Sequence, residues 1–354
     1  MIPIVVRVAT AVVVLTGIVF AASNRSAATT RGLTAITGVS VGHHTLEGRL
    51  TGCTVILTED GAVAAVDIRG PAPGTRETAL LDPTNVRVQR VHAIVLTGGS
   101  AFGLAVADGV IRYLDERDVG FQTPSARVPI VPAAVLYDLG IGDPTIRPTA
   151  ECGYRAAKAA RTDLIEEGNV GAGAGATVGK LAGAARAMKG GIGTALVELP
   201  GGVKVAALIA VNAVGDIHDP NTGAIIAGAR TEDGRRFIGT RKLLRESMNS
   251  ETRGGTNTTI GVVMTNVVLD PAQLGVVARM AQSGLARTVR PAHTPADGDT
   301  IFALSTGTLR NDAGLLRIGA FAADVTADAI VRAVKAATSI PGYPASRDLK
   351  ENTQ

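Results

Sequence analysis

At 354 residues, 46% of them apolar and 19% charged, the chain can bury a large core and is no small disulfide-stapled scaffold. A formal charge of +4 and 3% aromatics, with no Trp, supply neither the basic cluster nor the stacking rings of a nucleic-acid binder. With 43 Gly, the core has to be assembled from Ala, Val, Ile and Leu, the glycines letting backbones come close.

The opening "MIPIVVRVATAVVVLTGIVFAASNRSAATT" stands apart from the rest. Arg7, an apolar run from Ala9 to Ala22 and small residues at its end fit an export signal over residues 1–21. The run is short for a spanning helix, so the alternatives are a membrane association through residues 1–22 and an over-extended start. The first two readings imply a secreted, periplasmic or membrane-associated protein, the third a cytoplasmic one.

From Leu33 the chain reads as short apolar strands punctuated by Gly and polar turns. Thr54–Leu57 and Ala62–Ile68, around Asp60-Gly61, predict a hairpin. "GPAPGTRETALLDP" is a loop, and "VHAIVLTGGSAFGLAVADGVIRYLDERDVG" a strand, a glycine turn and an amphipathic helix. A second helix is expected over "ECGYRAAKAARTDL", then a glycine-rich passage, then two hairpin strands in "IGTALVELPGGVKVAALIAVNAVGDI". After Asp216 a polar, charged stretch with one short helix near Lys242–Met248 leads to a strand over Thr259–Val268. A helix from Asp270-Pro271, the strand "IFALSTG" and a last helix over Asp324–Ala337 follow. Without a strict βαβ repeat, a mixed α/β or α+β fold with layered sheets is favoured over a doubly wound one.

The run "GNVGAGAGATVGK" fits neither phosphate-loop pattern: Ala176 breaks the dinucleotide spacing, and Lys180 is followed by Leu181. It predicts a tight loop against another backbone or a substrate, with Lys180 at its end partly desolvated or simply solvated. The five histidines lack metal-ligand spacing, His43 and His44 pointing to opposite faces of a strand, and no cofactor or metal is expected. "GGSAFG" is off the nucleophile-elbow pattern, and Ser100 reads as a helix cap or turn residue. A nucleophilic mechanism here would therefore use a base other than imidazole.

"GGTNTTIGVVMTN" supplies a candidate. A cut ahead of Thr258 would place an α-amine, with a reference pKa near ~7.7, beside its own hydroxyl, uniting base and nucleophile. Asn257-Thr258 is equally an ordinary strand start. Asp297 and Asp299, flanking Gly298 ahead of a strand, could bond the Thr258 hydroxyl, its amine or one another, or form a plain turn. Cys53 and Cys152 could pair or remain thiols.

Taken together, "ITGVSVGHH", "AVDIRGPAPGTRETALLDP", "VHAIVLTGGSAFGLAVADGV", "VPIVPAAVLYDLG", "KGGIGTA", "AALIAVNAVGD", "TNTTIGVVMTN" and "DGDTIFALSTG" resemble one self-processing hydrolase family. It includes L-aminopeptidase/D-Ala-esterase/amidase, the β-peptidyl aminopeptidases and the 6-aminohexanoate-oligomer endo-hydrolases (peptidase family S58). The resemblance spans about Leu33 to Pro341 and implies one αββα sandwich domain over residues 32–341. It also implies a homo-oligomer of protomers cut between Asn257 and Thr258, giving fragments of 257 and 97 residues. Thr258 would be the nucleophile toward small peptides or amides, with Lys180, Asn212, Asp297 and Asp299 around it and the Tyr137 hydroxyl helping to hold the oxyanion. The pattern is nearest the nylon-oligomer branch: Thr replaces the Ser of the aminopeptidases, and "VPAAVLYDLG" lacks a carboxylate ahead of Tyr137 to grip a free amine. An aminopeptidase for D- or β-amino acid amides, an acyltransferase of the same mechanism and an uncut scaffold are the alternatives.

Overall fold

Apolar residues recurring on both faces of the strands dictate a structure in which sheets are covered on both sides. The computed structural model describes residues 29–30, 32–85, 90–246, 257–310 and 313–349. The leader expected at 1–21 and the chain immediately ahead of Asn257 lie outside the described residues. So does the end of the helix expected over 242–248, of which Thr240–Glu246 is helical.

The main strands are β1 (Ser40–Thr45), β2 (Gly52–Ile68), β3 (Arg90–Thr97), β4 (Ala133–Val135), β5 (Gly191–Leu199), β6 (Val203–Asn212), β7 (Thr258–Val267) and β8 (Thr300–Leu309). The helices are α1 (Val106–Asp115), α2 (Ala150–Lys158), α3 (Pro271–Thr288) and α4 (Leu315–Ala336). Hydrogen bonding orders the strands β5-β6-β7-β8-β2-β3-β4, with the edge pair Thr75–Arg76 beyond β4 and β1 beside β2. Only the β7–β8 and β3–β4 pairings are parallel among these strands.

Strand β2 corrects the hairpin expected around Asp60-Gly61. It runs unbroken for 17 residues, its first half pairing with β1 and β3 and its second half with β8. Neighbours on both sides supply hydrogen bonds that a turn would forfeit. The positive φ of Gly61 is absorbed as a bulge between Leu57 and Ala62.

Alternation then builds the layers. Val205, Ala207, Ile209 and Val211 of β6 face the core shared with α3 and α4. Ala206, Leu208 and Ala210 face a second core, where Ile260, Val262 and Phe302 meet Ile56, Ile94 and Leu96. The other face of β2 and β3, with Val55 and Val95, packs on Val106 and Val110 of α1 and Ala156 of α2. The succession helix, sheet, sheet, helix is consistent with the expected αββα sandwich. The disulfide Cys53–Cys152 ties β2 to α2.

Helix α3 starts where the sequence placed it, with the Asp270 and Gln273 side chains forming a reciprocal capping box and Pro271 at its first position. Helix α4 starts at Leu315, nine residues ahead of the expected Asp324, because Leu315–Ala323 is apolar on more than one side and Gly314 offers no side-chain cap. Helix α2 stops at Lys158, short of the expected extent. No helix among the described residues is long and apolar enough to cross a membrane.

Glycines set the spacing between α4 and β5. A Cβ on Gly193 would lie 2.3 Å from the Ala329 carbonyl oxygen, and one on Gly191 2.5 Å from that of Ala333. Gly193→Ala should therefore lower unfolding free energy by about 1–3 kcal/mol in a denaturant titration, as overpacked cores do. Gly314→Ala, with nothing within 4 Å of the added carbon, should change it by less than about 0.5 kcal/mol.

Candidate active site

Parallel pairing of β7 with β8 aligns Ile260 with Thr300, so the residues leading into the two strands lie side by side. Asn257 bridges to Asp297, and the Gly298 N–H donates to the Asn257 carbonyl at 3.0 Å. The Thr258 hydroxyl donates to that same carbonyl oxygen. Thr258 is 4% exposed, and Asn257 is equally enclosed. A Cβ on residue 298 would lie 3.0 Å from Thr258 Oγ1 and 2.5 Å from the Ala72 carbonyl oxygen, so only glycine leaves room for the hydroxyl.

The two carboxylates divide their work differently from the sequence reading. Asp299 Oδ1 accepts from the Thr259 N–H at 2.7 Å, and its Oδ2 accepts from the His293 N–H at 3.1 Å and lies 2.9 Å from His293 Nδ1. Asp297 Oδ2 accepts from the Thr294 N–H and hydroxyl at 2.7 and 2.6 Å. Its Oδ1 is buried with no hydrogen-bond partner among the described residues. Burial, and next the charge of Asp299, push the Asp297 carboxyl up to about 6. Neither carboxylate bonds the Thr258 hydroxyl directly among the described residues.

On the other side of β7, Asn212 is the register partner of Thr258. Its Oδ1 accepts from Lys180 Nζ at 2.6 Å and the Thr177 N–H at 3.0 Å, while its Nδ2 donates to the Tyr137 carbonyl at 2.9 Å. The second Nδ2 hydrogen remains available for a further acceptor. Lys180 also reaches the Asn212 carbonyl at 3.2 Å. Burial lowers its ammonium to about 7, against the opposing pull of Asp297 and Asp138. Of the two states left open for Lys180 the partly desolvated one is present, and the lysine sits across β7 from the acids.

The glycine run is the close-packed loop the sequence implied, since a Cβ on Gly173 would lie 2.3 Å from the Ile192 nitrogen. What holds the loop was not legible in advance. Lys189 is fully buried and donates to the carbonyls of Gly173, Ala176 and Gly190 at 2.9, 2.8 and 3.2 Å. Burial brings this ammonium down to about 7 as well. Asp138, the carboxylate that follows Tyr137, is turned to other partners. Its charge is taken up by Arg49 at 2.8 Å, the Thr51 hydroxyl at 2.6 Å and the Gly99 N–H at 2.9 Å.

Six expected residues, Thr258, Asn257, Asn212, Lys180, Asp297 and Asp299, thus meet at the start of β7. Tyr137 joins them through its backbone carbonyl and is also among the residues lining an adjoining cleft of about 500 Å³. The sequence reading missed Gly298, His293, Thr294 and Lys189. For Gly298 a signal existed, a glycine locked between two acids at a strand mouth. The others are recognised only through tertiary contacts.

Comparison with known proteins bears on what this cluster is. The chain matches the model of peptidase family S58 over residues 32–347. An uncharacterized aminopeptidase of Mycobacterium leprae is 44% identical over 347 residues, covering 90% of this chain and 94% of its own. A 6-aminohexanoate-oligomer endohydrolase of a Kocuria species is 32% identical over 312 residues, 84% of each chain. Among solved structures, the L-aminopeptidase D-Ala-esterase/amidase of Ochrobactrum anthropi, described as a variant of the Ntn hydrolase fold, superposes with a TM-score of 0.65. It shares 22% identity over 89% of each chain, a likeness of fold. A β-aminopeptidase of a Burkholderia species gives a TM-score of 0.64 at 23% identity, over 88% of this chain and 90% of that one. Matched along nearly its whole length by the family model and by relatives above 30% identity, the chain belongs to peptidase family S58 and is a hydrolase of C–N bonds.

Proposed function

We propose that the protein is an N-terminal-threonine amidohydrolase that matures by cutting its own Asn257–Thr258 bond and then hydrolyses small peptides or amides. The observation that carries this reading is the Asn257 carbonyl, which receives the Thr258 hydroxyl and the Gly298 N–H together. Nucleophile and polarising donor are thereby assembled on one peptide bond.

In the first step Thr258 Oγ1 adds to the Asn257 carbonyl carbon and gives up its proton, while the Gly298 N–H holds the oxygen that becomes negative. The C–N bond breaks, the Thr258 nitrogen leaves as the amine with a proton, and an ester joins Asn257 to the Thr258 oxygen. Water then hydrolyses that ester. The freed amine serves as base for the next attack, when the hydroxyl adds to a substrate amide and forms the acyl-enzyme. The unpartnered Asp297 Oδ1 is suited to receive a hydrogen bond from this amine. Asp299 fixes the start of β7 through the Thr259 N–H and acts as a positioning group. Asn212 has one amide hydrogen for the substrate oxyanion, with the Tyr137 hydroxyl as its companion, and Lys180 keeps the Asn212 side chain oriented.

Thr259 is the control that its neighbour provides. Its hydroxyl is buried on the opposite side of β7, without a hydrogen-bond partner among the described residues. A threonine so placed has no base and no carbonyl to attack.

Intact-mass analysis and N-terminal sequencing of purified protein should find a downstream fragment beginning at Thr258. Thr258→Ala should remain one chain and lose turnover by at least about 10³-fold, whereas Thr259→Val should still be cut. Cleavage persisting in Thr258→Ala would remove the assignment. The pH dependence follows from Asp297: its carboxylate form, required to hold the amine, is lost as pH falls through about 6. kcat/KM should therefore show an acid-side step near 6 in addition to the one set by protonation of the Thr258 amine that serves as base, and a profile without the step near 6 would take Asp297 out of that role.

A further inference from the structure

The cleft beside the cluster has a wall that catalysis does not use. Its inner end is made by Tyr137, Thr177 and Lys180, the three residues whose hydrogen bonds hold the Asn212 side chain opposite Thr258. Tyr343, from the segment that follows α4, also lines it.

That segment is tied down on several sides. Ile340 and Tyr343 exchange backbone hydrogen bonds of 3.1 and 2.9 Å, which form a tight turn with Tyr343 at its end. The Lys189 N–H donates to the Pro344 carbonyl at 2.9 Å, and the Ser346 hydroxyl to the Ile226 carbonyl at 2.5 Å. Arg347 donates to the carbonyls of Lys335 and Ala336 at the end of α4, at 3.0 and 2.9 Å. Ala345 is fully buried. Tyr343 is thus a half-buried lining residue of the cleft, carried on an anchored backbone.

The charges lining the cleft restrict what enters. Asp138 is spent on Arg49, Thr51 and the Gly99 N–H, so no carboxylate is left to receive an ammonium. Among the described lining residues, the tyrosines aside, the other ionisable side chain is Lys180, whose ammonium burial lowers to about 7. Gly140, Ile141, Gly175, Gly183, Ala184 and Ala187 supply uncharged, mostly small side chains to the remaining wall.

Resting on the assignment of Thr258 as nucleophile, we propose that this cleft binds the acyl part of the substrate, an unbranched chain without positive charge, and that Tyr343 is the specificity-determining residue that sets its accepted length. The acyl part is the piece that stays on Thr258 through both half-reactions while the amine departs, so it is the piece an enclosed cleft has to hold. A ring on an anchored backbone contributes packing to chains that reach it and stops chains that would pass it.

The test uses the self-processed full chain and p-nitroanilides of straight-chain acids from acetyl to octanoyl. Wild-type kcat/KM should peak at one length. In Tyr343→Ala the KM at that length should rise about tenfold with kcat within about threefold, and the optimum should move to longer chains. Tyr343→Phe, which keeps the ring, should retain the wild-type profile. Self-cleavage is intramolecular and reports whether the catalytic groups are assembled in each variant. Cut Tyr343→Ala protein with the wild-type length profile, or with a loss in kcat alone, overturns the inference. A Thr258→Ala protein that is still cut or still active overturns the underlying assignment instead.

Discussion

The parallel pairing of β7 with β8 is the constraint from which the rest of the site follows. Parallel neighbours cannot be joined by a tight turn, and here the connection is α3, a full crossover packed on the outer face of the sheet. That register sets Asn257 against Asp297 and puts the Gly298 N–H on the Asn257 carbonyl. Had the two strands run antiparallel, the mouths of β7 and β8 would stand at opposite ends of the sheet. Thr258 would then have no acids beside it, and the Asn257 carbonyl no polarising donor.

Beyond this pair, polar networks reach into an interior built mainly of small aliphatic residues. Asp138, held by Arg49, Thr51 and the Gly99 N–H, and Lys189, held by three carbonyls, are buried ionisable groups with their hydrogen bonds supplied. Such groups are tolerated only when satisfied, and their usual gain is a fixed geometry rather than added stability. The geometry fixed here is that of two glycine-rich loops. A Cβ on Gly98 would come 2.1 Å from Asp138 Oδ2 and one on Gly175 2.6 Å from it, so the same carboxylate is wedged between both loops and carries Tyr137 next to it.

Much of this was legible in the sequence, and the reasons for the misses are specific. The hairpin of β5 and β6, the capping box of α3 and the close-packed character of "GNVGAGAGATVGK" have local causes, in a Gly-Gly turn, an Asp-Pro start and a lack of side chains. The Asp60-Gly61 pair misled because the same dipeptide suits a turn and a bulge, and the choice is made by strands β3 and β8 far along the chain. The early start of α4 escaped because a helix buried on several sides has no clean polar face. For the site, Thr258, Asn257, Lys180, Asp297 and Asp299 stood out among the residues, each with an ordinary alternative, and the family resemblance selected them. Asn212 and Tyr137 came from the resemblance alone. Lys189 and His293 carry no signal along the chain, since each is defined by what distant backbone brings to it.

The position of β7 also bears on what a break in the chain would do. Its first residue is hydrogen-bonded within the ladder to β6 on one side, and the strand runs beside β8 on the other, with two packed cores above and below. A backbone cut at that point removes one covalent bond and no layer of packing. The two pieces would remain interlocked: β6 belongs to the upstream piece, β7 and β8 to the downstream one, and β2 closes over β8 from upstream again. Separating them requires dismantling the sheet itself, so a nicked molecule should hold its shape as a single cooperative body, its new end as rigid as the strand interior from which it came.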